Sequence, residues 1–193
     1  MAKTYGGEIK RKFFHLSSLS IPILYTWVPK EIAVVALLAA TLVFFGIDML
    51  RFYSVRFRKV FHILTDSVIR EKEHHSFTGS TWILLGSTLC VAVFPKAIAQ
   101  AAVTFIVIGD IAAALIGRKW GRHRIFGGKS LEGTVAFAVS TIIAGFCIPG
   151  LTPQMIIPGA VLGAVVEVAP IPLDDNFTVP IAVGLLMLGI SLL

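Results

Sequence analysis

The sequence predicts an all-α integral membrane protein, a polytopic bundle of about seven transmembrane helices with its N-terminus in the cytoplasm. Hydrophobic residues make up 56% of the chain and mean hydropathy is +0.86, which is outside the range of soluble domains. The apolar residues also fall into long runs, at 13–29, 31–50, 79–94, 97–117, 131–149, 154–171 and 177–193. Each run is close to the roughly 20 residues that a helix needs to cross a bilayer.

The run at 154–171 is the weakest of these segments, because it contains Pro158, Glu167 and Pro170. Proline removes a backbone donor and disturbs a helix, so we expect this run to be broken or only partly inserted. A length of 193 residues suits one domain, and we treat the whole chain as a single membrane unit.

The basic residues predict the orientation in the membrane. Of the 17 lysines and arginines, 15 fall in the N-terminal tail and in the connections 51–78 and 118–130. The opposite side has only Lys30 and Lys96. Because basic residues favour the cytoplasmic side, we expect a cytoplasmic N-terminus and cytoplasmic loops at 51–78, 118–130 and 172–176.

The net charge of +6 does not by itself indicate nucleic-acid binding, since the placement of charge matters more than its total in a membrane protein. Residues 51–64 alternate basic and aromatic side chains, which is typical of an amphipathic helix lying in the membrane interface. The bilayer is therefore the expected partner of these basic residues, and no nucleic-acid partner is expected.

Asp110 lies inside an apolar run, about seven residues before the loop at 118–130 and hence about 10 Å deep. A carboxylate in the middle of a bilayer costs about 2.5–3.5 kcal/mol on insertion scales, so it needs a partner or a function. The structural alternative is an ion pair with a residue such as Arg118. The depth matches the level at which a lipid headgroup hydroxyl meets the acyl region, and function is the favoured interpretation.

The loop after Asp110 combines glycines with five basic residues, which are Arg118, Lys119, Arg122, Arg124 and Lys129. Gly127-Gly128-Lys129-Ser130 is not a P-loop, because the first glycine of that motif would fall on His123 and no strand precedes it. Flexible glycines, a lysine and a helix that begins near Ser130 nevertheless favour an anion. The alternative is a loop that contacts lipid phosphates.

Several oxygen ligands lie within ten residues of one another near the C-terminus, on Glu167, Asp174, Asp175 and Asn176. They suit Mg²⁺, which takes one or two carboxylates together with substrate phosphates, although a solvated turn would look the same. Glu167 shares a helix face with Gly159 and Gly163, a spacing that permits close helix approach. Asp110 shares a face with small residues in the same way, so we expect both acids to point into the bundle.

Six blocks of sequence occur in a characteristic order, at 11–15, 78–81, 109–118, 128–134, 166–167 and 173–180. In this order they resemble the dolichol kinase, phytol kinase and CTP-dependent diacylglycerol kinase family of polytopic lipid kinases. The blocks at 109–118 and 128–134 are also similar to phosphatidate cytidylyltransferases and CDP-archaeol synthases. The C-terminal Gly-His-Gly-Gly…Asp-Arg-x-Asp segment of bacterial cytidylyltransferases is replaced here by Asp-Asp-Asn-Phe-Thr-Val-Pro, which favours the kinases.

The resemblance implies one lipid-kinase domain over residues 1–193 that transfers the γ-phosphoryl group of CTP to a lipid alcohol, with Mg²⁺, at the cytoplasmic face. The acceptor it implies is of the polyprenol or dolichol type, or diacylglycerol. The implied metal ligands are Asp110, Glu167, Asp174 and Asp175. The implied catalytic residues are Asp110, Lys129 and Glu132, with Asp110 as the acceptor of the hydroxyl proton because of its depth.

The resemblance also assigns binding residues. Those implied for the nucleotide are Arg118, Gly121, Gly128, Lys129, Ser130, Glu132, Gly133, Thr134 and Asn176. Those implied for the lipid substrate are Lys12, His15, Thr78 and Gly79.

Two other functions stay open at this stage. A cytidylyltransferase would use the same CTP to make a CDP-lipid. A transporter or lipid-binding protein would do no chemistry, but transporters place their polar site near the membrane midplane, whereas the polar groups here crowd one interface. Monomer and homodimer are both open.

Overall fold

The computed structural model describes residues 11, 12, 14–65, 69, 73 and 76–193, with the backbone only at residue 64. These residues form eight α-helices: α1 (Ser20–Tyr25), α2 (Lys30–Tyr53), α3 (Val55–Thr65), α4 (Gly79–Val93), α5 (Lys96–Trp120), α6 (Leu131–Phe146), α7 (Pro153–Val168) and α8 (Asp175–Ser191). They contain no β-strand, which confirms the all-α prediction for the described part of the chain. Most of the N-terminal tail and part of the loop at 51–78 lie outside the described residues.

The helices begin where the local sequence provides a cap. The side chains of Thr78, Ser130 and Asp174 accept backbone N–H groups in the first turns of α4, α6 and α8. Pro29 and Pro95 precede α2 and α5, and their fixed φ angles suit the residue before a helix. These signals are local, so the sequence predicted the starts of these helices within a few residues.

The run at 154–171 forms one continuous helix, α7, rather than the broken segment that we expected. Pro158 is accommodated inside the helix, which ends before Pro170. Likewise Asp175 and Asn176 belong to the first turn of α8 and not to the predicted loop at 172–176.

Helix α5 is the centre of the bundle and contacts α1, α4, α6, α7 and α8. Every residue of α5 from Ala101 to Val107 is buried. Helix α2 packs on the outer side of α4 and is largely exposed. Helix α5 therefore places Asp110 among the other helices, close to one end of the bundle.

Helices α2 and α5 are long and apolar enough to cross a membrane, whereas the other apolar helices have 17 residues or fewer. The outer surface is apolar on α2, where Leu42 and Val43 are more than half exposed, and also on the shorter helices, where Ile143, Val161 and Leu185 are at least half exposed. An exposed apolar surface of this extent is unusual for a soluble protein and suits lipid contact. The structure thus supports a helical membrane protein with two candidate spans, and the count of seven spans and the orientation stay predictions.

Glycines allow the helices to approach closely. A Cβ atom at Gly159 would lie 2.5 Å from Met187 of α8, and one at Gly163 would lie 3.1 Å from Phe137 of α6. Both glycines are buried, as is Glu167 on the same face, which confirms the predicted small-residue stripe.

The closest of these contacts gives a test of the packing. A Cβ atom at Gly184 of α8 would lie 2.1 Å from the buried ring of Phe94, whereas nothing lies within 4 Å of one at Gly189. We expect Gly184→Ala to cost about 1–3 kcal/mol of unfolding free energy through overpacking, with a lower thermal midpoint in detergent. Gly189→Ala is the control on the same helix. An equal effect of the two substitutions would contradict the packing of α8 on α4.

Candidate functional site

An open pocket of about 280 Å³ lies where α5, α6, α7 and α8 meet the loop between α5 and α6. Five basic residues line it, namely Arg11, Lys12, Arg118, Arg124 and Lys129. Three carboxylates line it as well, those of Asp110, Glu167 and Asp175. The positive charges outnumber the negative ones, so the pocket has room and charge for a polyanion.

Lys129 connects the loop to the ends of two helices. Its Nζ lies 2.9 Å from Oε1 of Glu167 and 3.0 Å from Oδ2 of Asp175, and it also donates to the backbone carbonyl of Glu167. The carboxylate of Glu167 is almost fully buried at the end of α7, so an unpaired charge there would be costly. The single ammonium therefore holds α7 and α8 to the loop.

Asp110 faces the pocket, as the sequence predicted, and not the exterior of the bundle. Its Oδ2 lies 2.5 Å from Nζ of Lys12 and 3.5 Å from Nε2 of His15. Lys12 also donates to the backbone carbonyl of Asp110, at 3.0 Å. The start of the described chain thus supplies the cation that a carboxylate in an apolar helix requires.

The loop reaches this position through two glycines. Gly127 and Gly128 have φ angles of 62° and 78°, a region that side chains rarely adopt. Arg124 closes the turn by donating from Nη1 to the carbonyl of Gly128 at 3.0 Å. The chain then enters α6 through the cap of Ser130, whose Oγ accepts the N–H of Gly133 at 3.2 Å. Lys129 therefore lies directly before the N-terminus of a helix, which favours anions.

The wall between α5 and α6 is made of small residues. A Cβ atom at Gly117 would lie 2.9 Å from Oγ of Ser130, and one at Gly133 would lie 2.8 Å from the carbonyl of Ala113. Ala113, Gly117 and Gly133 all line the pocket. Larger side chains would push the helices apart and fill the space above them.

Some of the predicted site residues do not line the pocket. Glu132 instead accepts a hydrogen bond from the backbone of His123, and its Oε1 lies 2.8 Å from Nδ1 of that ring. Gly121 packs against the side chain of Ser130. Asp174 caps α8 by accepting the N–H of Asn176 at 3.2 Å.

The predicted lipid-binding residues lie in two places. Lys12 lines the pocket, and His15 lies beside it through Asp110. Thr78 and Gly79 lie at the start of α4, where Gly79 accepts a hydrogen bond from the side chain of Asn176 at 3.4 Å.

Magnesium ligands can be assessed from the same geometry. Within the described part of the chain, no three side chains of the Asp, Glu, His or Cys type come together as a metal site. Two carboxylate oxygens, from Glu167 and Asp175, do converge within 3.0 Å of one point, now held by the Lys129 ammonium. This pair fits an ion that takes one or two carboxylates and obtains its other ligands from phosphates and water.

The sequence analysis missed a buried ion pair at the end of α2. Asp48 and Arg51 are both fully buried, with Nη2 of Arg51 2.9 Å from Oδ1 of Asp48. The signal was present, since Asp48 is an acid inside the apolar run at 31–50 and meets the same criterion that singled out Asp110.

The chain is similar to several known proteins along most of its length. It is 30% identical to an uncharacterised protein of Rickettsia prowazekii over 92% of each chain. It is 28% identical to CTP-dependent diacylglycerol kinase 1 of Saccharomyces cerevisiae, over 93% of this chain and 72% of the yeast protein. It is 25% identical to the enzyme of the same name from Schizosaccharomyces pombe, over 72% of each chain. No protein-family model and no solved structure matches the chain.

A helical bundle with an apolar exterior and a basic pocket, together with these relatives, indicates a lipid kinase. The named relatives, similar over most of the chain, are CTP-dependent diacylglycerol kinases, which supports placing the chain with these lipid kinases.

The ion pairs of Lys129 give the stability a specific pH dependence. Burial of the ammonium lowers its pKa, but Asp175 and Glu167 more than offset this, so the pKa of Lys129 is raised above its usual 10.5. A group with a raised pKa in the folded state stabilises it below its unfolded pKa and loses that contribution as pH rises through the folded pKa.

We therefore expect the thermal midpoint of the wild-type protein to fall more steeply above pH 10.5 than that of Lys129→Met. The measurement is thermal unfolding in one detergent from pH 7 to pH 12. Lys59→Met, at an exposed position on α3, is the control and should follow the wild type. Parallel curves for all three proteins would contradict the ion pairs.

Proposed function

We propose that the pocket binds the triphosphate of CTP and that the γ-phosphoryl group passes to the hydroxyl of a membrane lipid. The acceptor lipid that we propose is diacylglycerol. The observation that supports this is the convergence of five basic side chains and three carboxylates at one end of an apolar bundle. A polyanion and a lipid hydroxyl can meet there, because the pocket is polar while the surrounding helix surfaces are apolar.

The phosphates would be bound by Lys129, Arg118 and Arg124 together with the first turn of α6. That turn presents backbone N–H groups at the positive end of a 16-residue helix. The excess of basic residues in the pocket offsets the negative charge of the nucleotide. Phosphoryl transfer needs mainly such positioning and charge neutralisation.

Glu167 and Asp175 would hold Mg²⁺ at the point on which their oxygens converge, and the Lys129 ammonium that lies there in this structure would move to the phosphates. The ion would neutralise charge on the phosphate oxygens. Asp174 is a weaker choice as a ligand, because it caps α8 and does not line the pocket.

Asp110 is the proposed acceptor of the hydroxyl proton. The lipid oxygen forms a bond to the γ-phosphorus, and the bond from that phosphorus to the bridging oxygen breaks, so that CDP leaves with the electron pair. The proton of the hydroxyl goes to Oδ2 of Asp110, whose position is fixed by Lys12. The products are a lipid phosphate and CDP.

The pocket would face the cytoplasm, where CTP is made available. The described ends of α2, α5 and α7 and the starts of α4, α6 and α8 meet at the basic end of the bundle. At the opposite end, Lys96 and Lys30 donate to backbone carbonyls of Thr26 and Phe94. The distribution of basic residues favours the pocket end as the cytoplasmic one.

The relatives from Saccharomyces cerevisiae and Schizosaccharomyces pombe carry the name diacylglycerol kinase, which supports diacylglycerol as the acceptor. A polyprenol of the dolichol type is the competing acceptor. A panel of diacylglycerol, dolichol, undecaprenol and phytol, crossed with four nucleoside triphosphates, distinguishes them. We expect diacylglycerol with CTP to give the highest kcat/KM.

The proposed reaction is tested by following label from CTP into lipid. We expect Asp110→Asn to lower the rate by about 10²–10⁴-fold, since a general base is removed. We expect Lys129→Ala to raise KM for CTP. The purified wild type should transfer label from [γ-³²P]CTP. Label from the α-position appearing in lipid with release of pyrophosphate would establish a cytidylyltransferase instead, and wild-type rates for both variants would remove the site assignment.

The metal assignment is tested by titrating activity with Mg²⁺. We expect Asp175→Asn to require at least about tenfold more Mg²⁺ for half-maximal rate, because one of two converging carboxylates is lost. Asp174→Asn is the matched control, since asparagine also caps a helix and Asp174, unlike Asp175, does not line the pocket. An equal shift for both variants, or none for Asp175→Asn, would contradict the assignment.

A further inference from the structure

The buried ion pair of Asp48 and Arg51 lies outside the pocket, and neither residue lines it. We propose that this pair is a positioning element, which fixes the start of α4 and through it the start of α8, where Asp175 enters the pocket. The inference rests on the proposed nucleotide function of that pocket. It assigns to Thr78 and Gly79 a structural role in place of the predicted contact with lipid.

Arg51 binds two residues that precede α4, Glu73 and Ser76. Its guanidinium is fully buried and donates to the backbone carbonyls of Glu73 and Ser76, each at 2.5 Å. The rings of Phe52 and Phe61 lie 4.9 Å and 5.3 Å from its central carbon. A buried arginine held by two carbonyls, a carboxylate and two rings has little freedom to move.

Asp48 forms hydrogen bonds with the first turn of α4 and its N-cap. Its Oδ2 accepts hydrogen bonds from the backbone N–H of Thr78 at 2.9 Å, from the hydroxyl of Thr78 at 3.2 Å and from the hydroxyl of Thr81 at 2.7 Å. Thr78 is also the N-cap of α4. The polar groups of Thr78 are therefore engaged within the protein.

The start of α4 in turn contacts the start of α8. The carbonyl of Gly79 accepts from Nδ2 of Asn176, and a Cβ atom at Gly79 would lie 3.1 Å from that nitrogen. Two turns further on, a Cβ atom at Gly86 would lie 2.8 Å from the carbonyl of Asn176. Asn176 directly follows Asp175. A shift of the start of α4 would therefore also displace the carboxylate of Asp175 in the pocket.

The energetics agree with a positioning role. A buried ion pair contributes little net stability compared with apolar residues of the same size, because two charges must leave water. From 32 to 47 helix α2 is apolar apart from Thr41, the helix is mostly exposed, and an all-apolar end would pack without this cost. What the charged pair adds is a fixed geometry between α2, the residues Glu73 and Ser76, and the start of α4.

Thr81→Val tests the connection, because it removes the hydroxyl bound to Asp48 and keeps the shape. We expect kcat/KM for CTP to fall about tenfold or more through a higher KM, since small displacements of a binding group are costly. Thr81→Ser restores the hydroxyl and should return KM to within about twofold of the wild type.

Thr41→Val is the matched control. Thr41 of α2 shares a hydrogen bond of 2.9 Å with Thr88 of α4, so the variant loses a polar contact between the same helices, away from the start of α4. We expect its KM for CTP to stay at the wild-type value. An equal rise in KM for Thr41→Val, or an unchanged KM for Thr81→Val, would overturn the proposal. Turnover of CTP by the wild type would still support the proposed function in either case.

Asn176→Ala tests the same connection at the start of α8. It also provides the test if Thr81→Val fails to fold. We expect a KM for CTP raised in the same direction, because the contact with Gly79 is lost. A folded Asn176→Ala protein with wild-type KM would contradict the proposal. Absence of CTP turnover in the wild type would instead reject the proposed function.

Discussion

The compensation of carboxylates within an apolar helical bundle is the constraint on which this structure depends. Asp48, Asp110 and Glu167 lie on apolar helices, where an uncompensated charge costs several kcal/mol. Each is held by a cation at 2.5–2.9 Å, from Arg51, Lys12 and Lys129 respectively. These pairs bring the ends of the helices together, because two of the three cations come from segments distant in the sequence.

The same constraint produces the pocket. Lys12 and Lys129 converge from the start of the described chain and from the loop before α6, and both bring basic neighbours with them. Glycines keep α5 and α6 close and leave space above them. The charges that balance the helix acids thus also form the basic surface that we propose for the phosphates of CTP, and binding and folding use one set of residues.

Local features of this arrangement were predictable from the sequence and distant pairings were not. The inward direction of Asp110, the helix start at Ser130 and the stripe of Gly159 and Gly163 follow from spacing and capping. The pairing of Lys12 with Asp110 spans 98 residues, and no pattern in one sequence indicates it. Glu132 shows the opposite case, because a motif assigned it to catalysis while its side chain contacts His123.

Binding of a CTP analogue with a methylene group between the β- and γ-phosphorus atoms tests the central claim most directly, because it measures nucleotide binding without turnover. Lys119 is the comparison, since it lies in the same basic stretch, is exposed and packs on Trp120 outside the pocket. We expect Lys129→Met to weaken the Kd by at least about tenfold and Lys119→Met to leave it unchanged. Equal Kd values for the wild type and Lys129→Met would contradict the account.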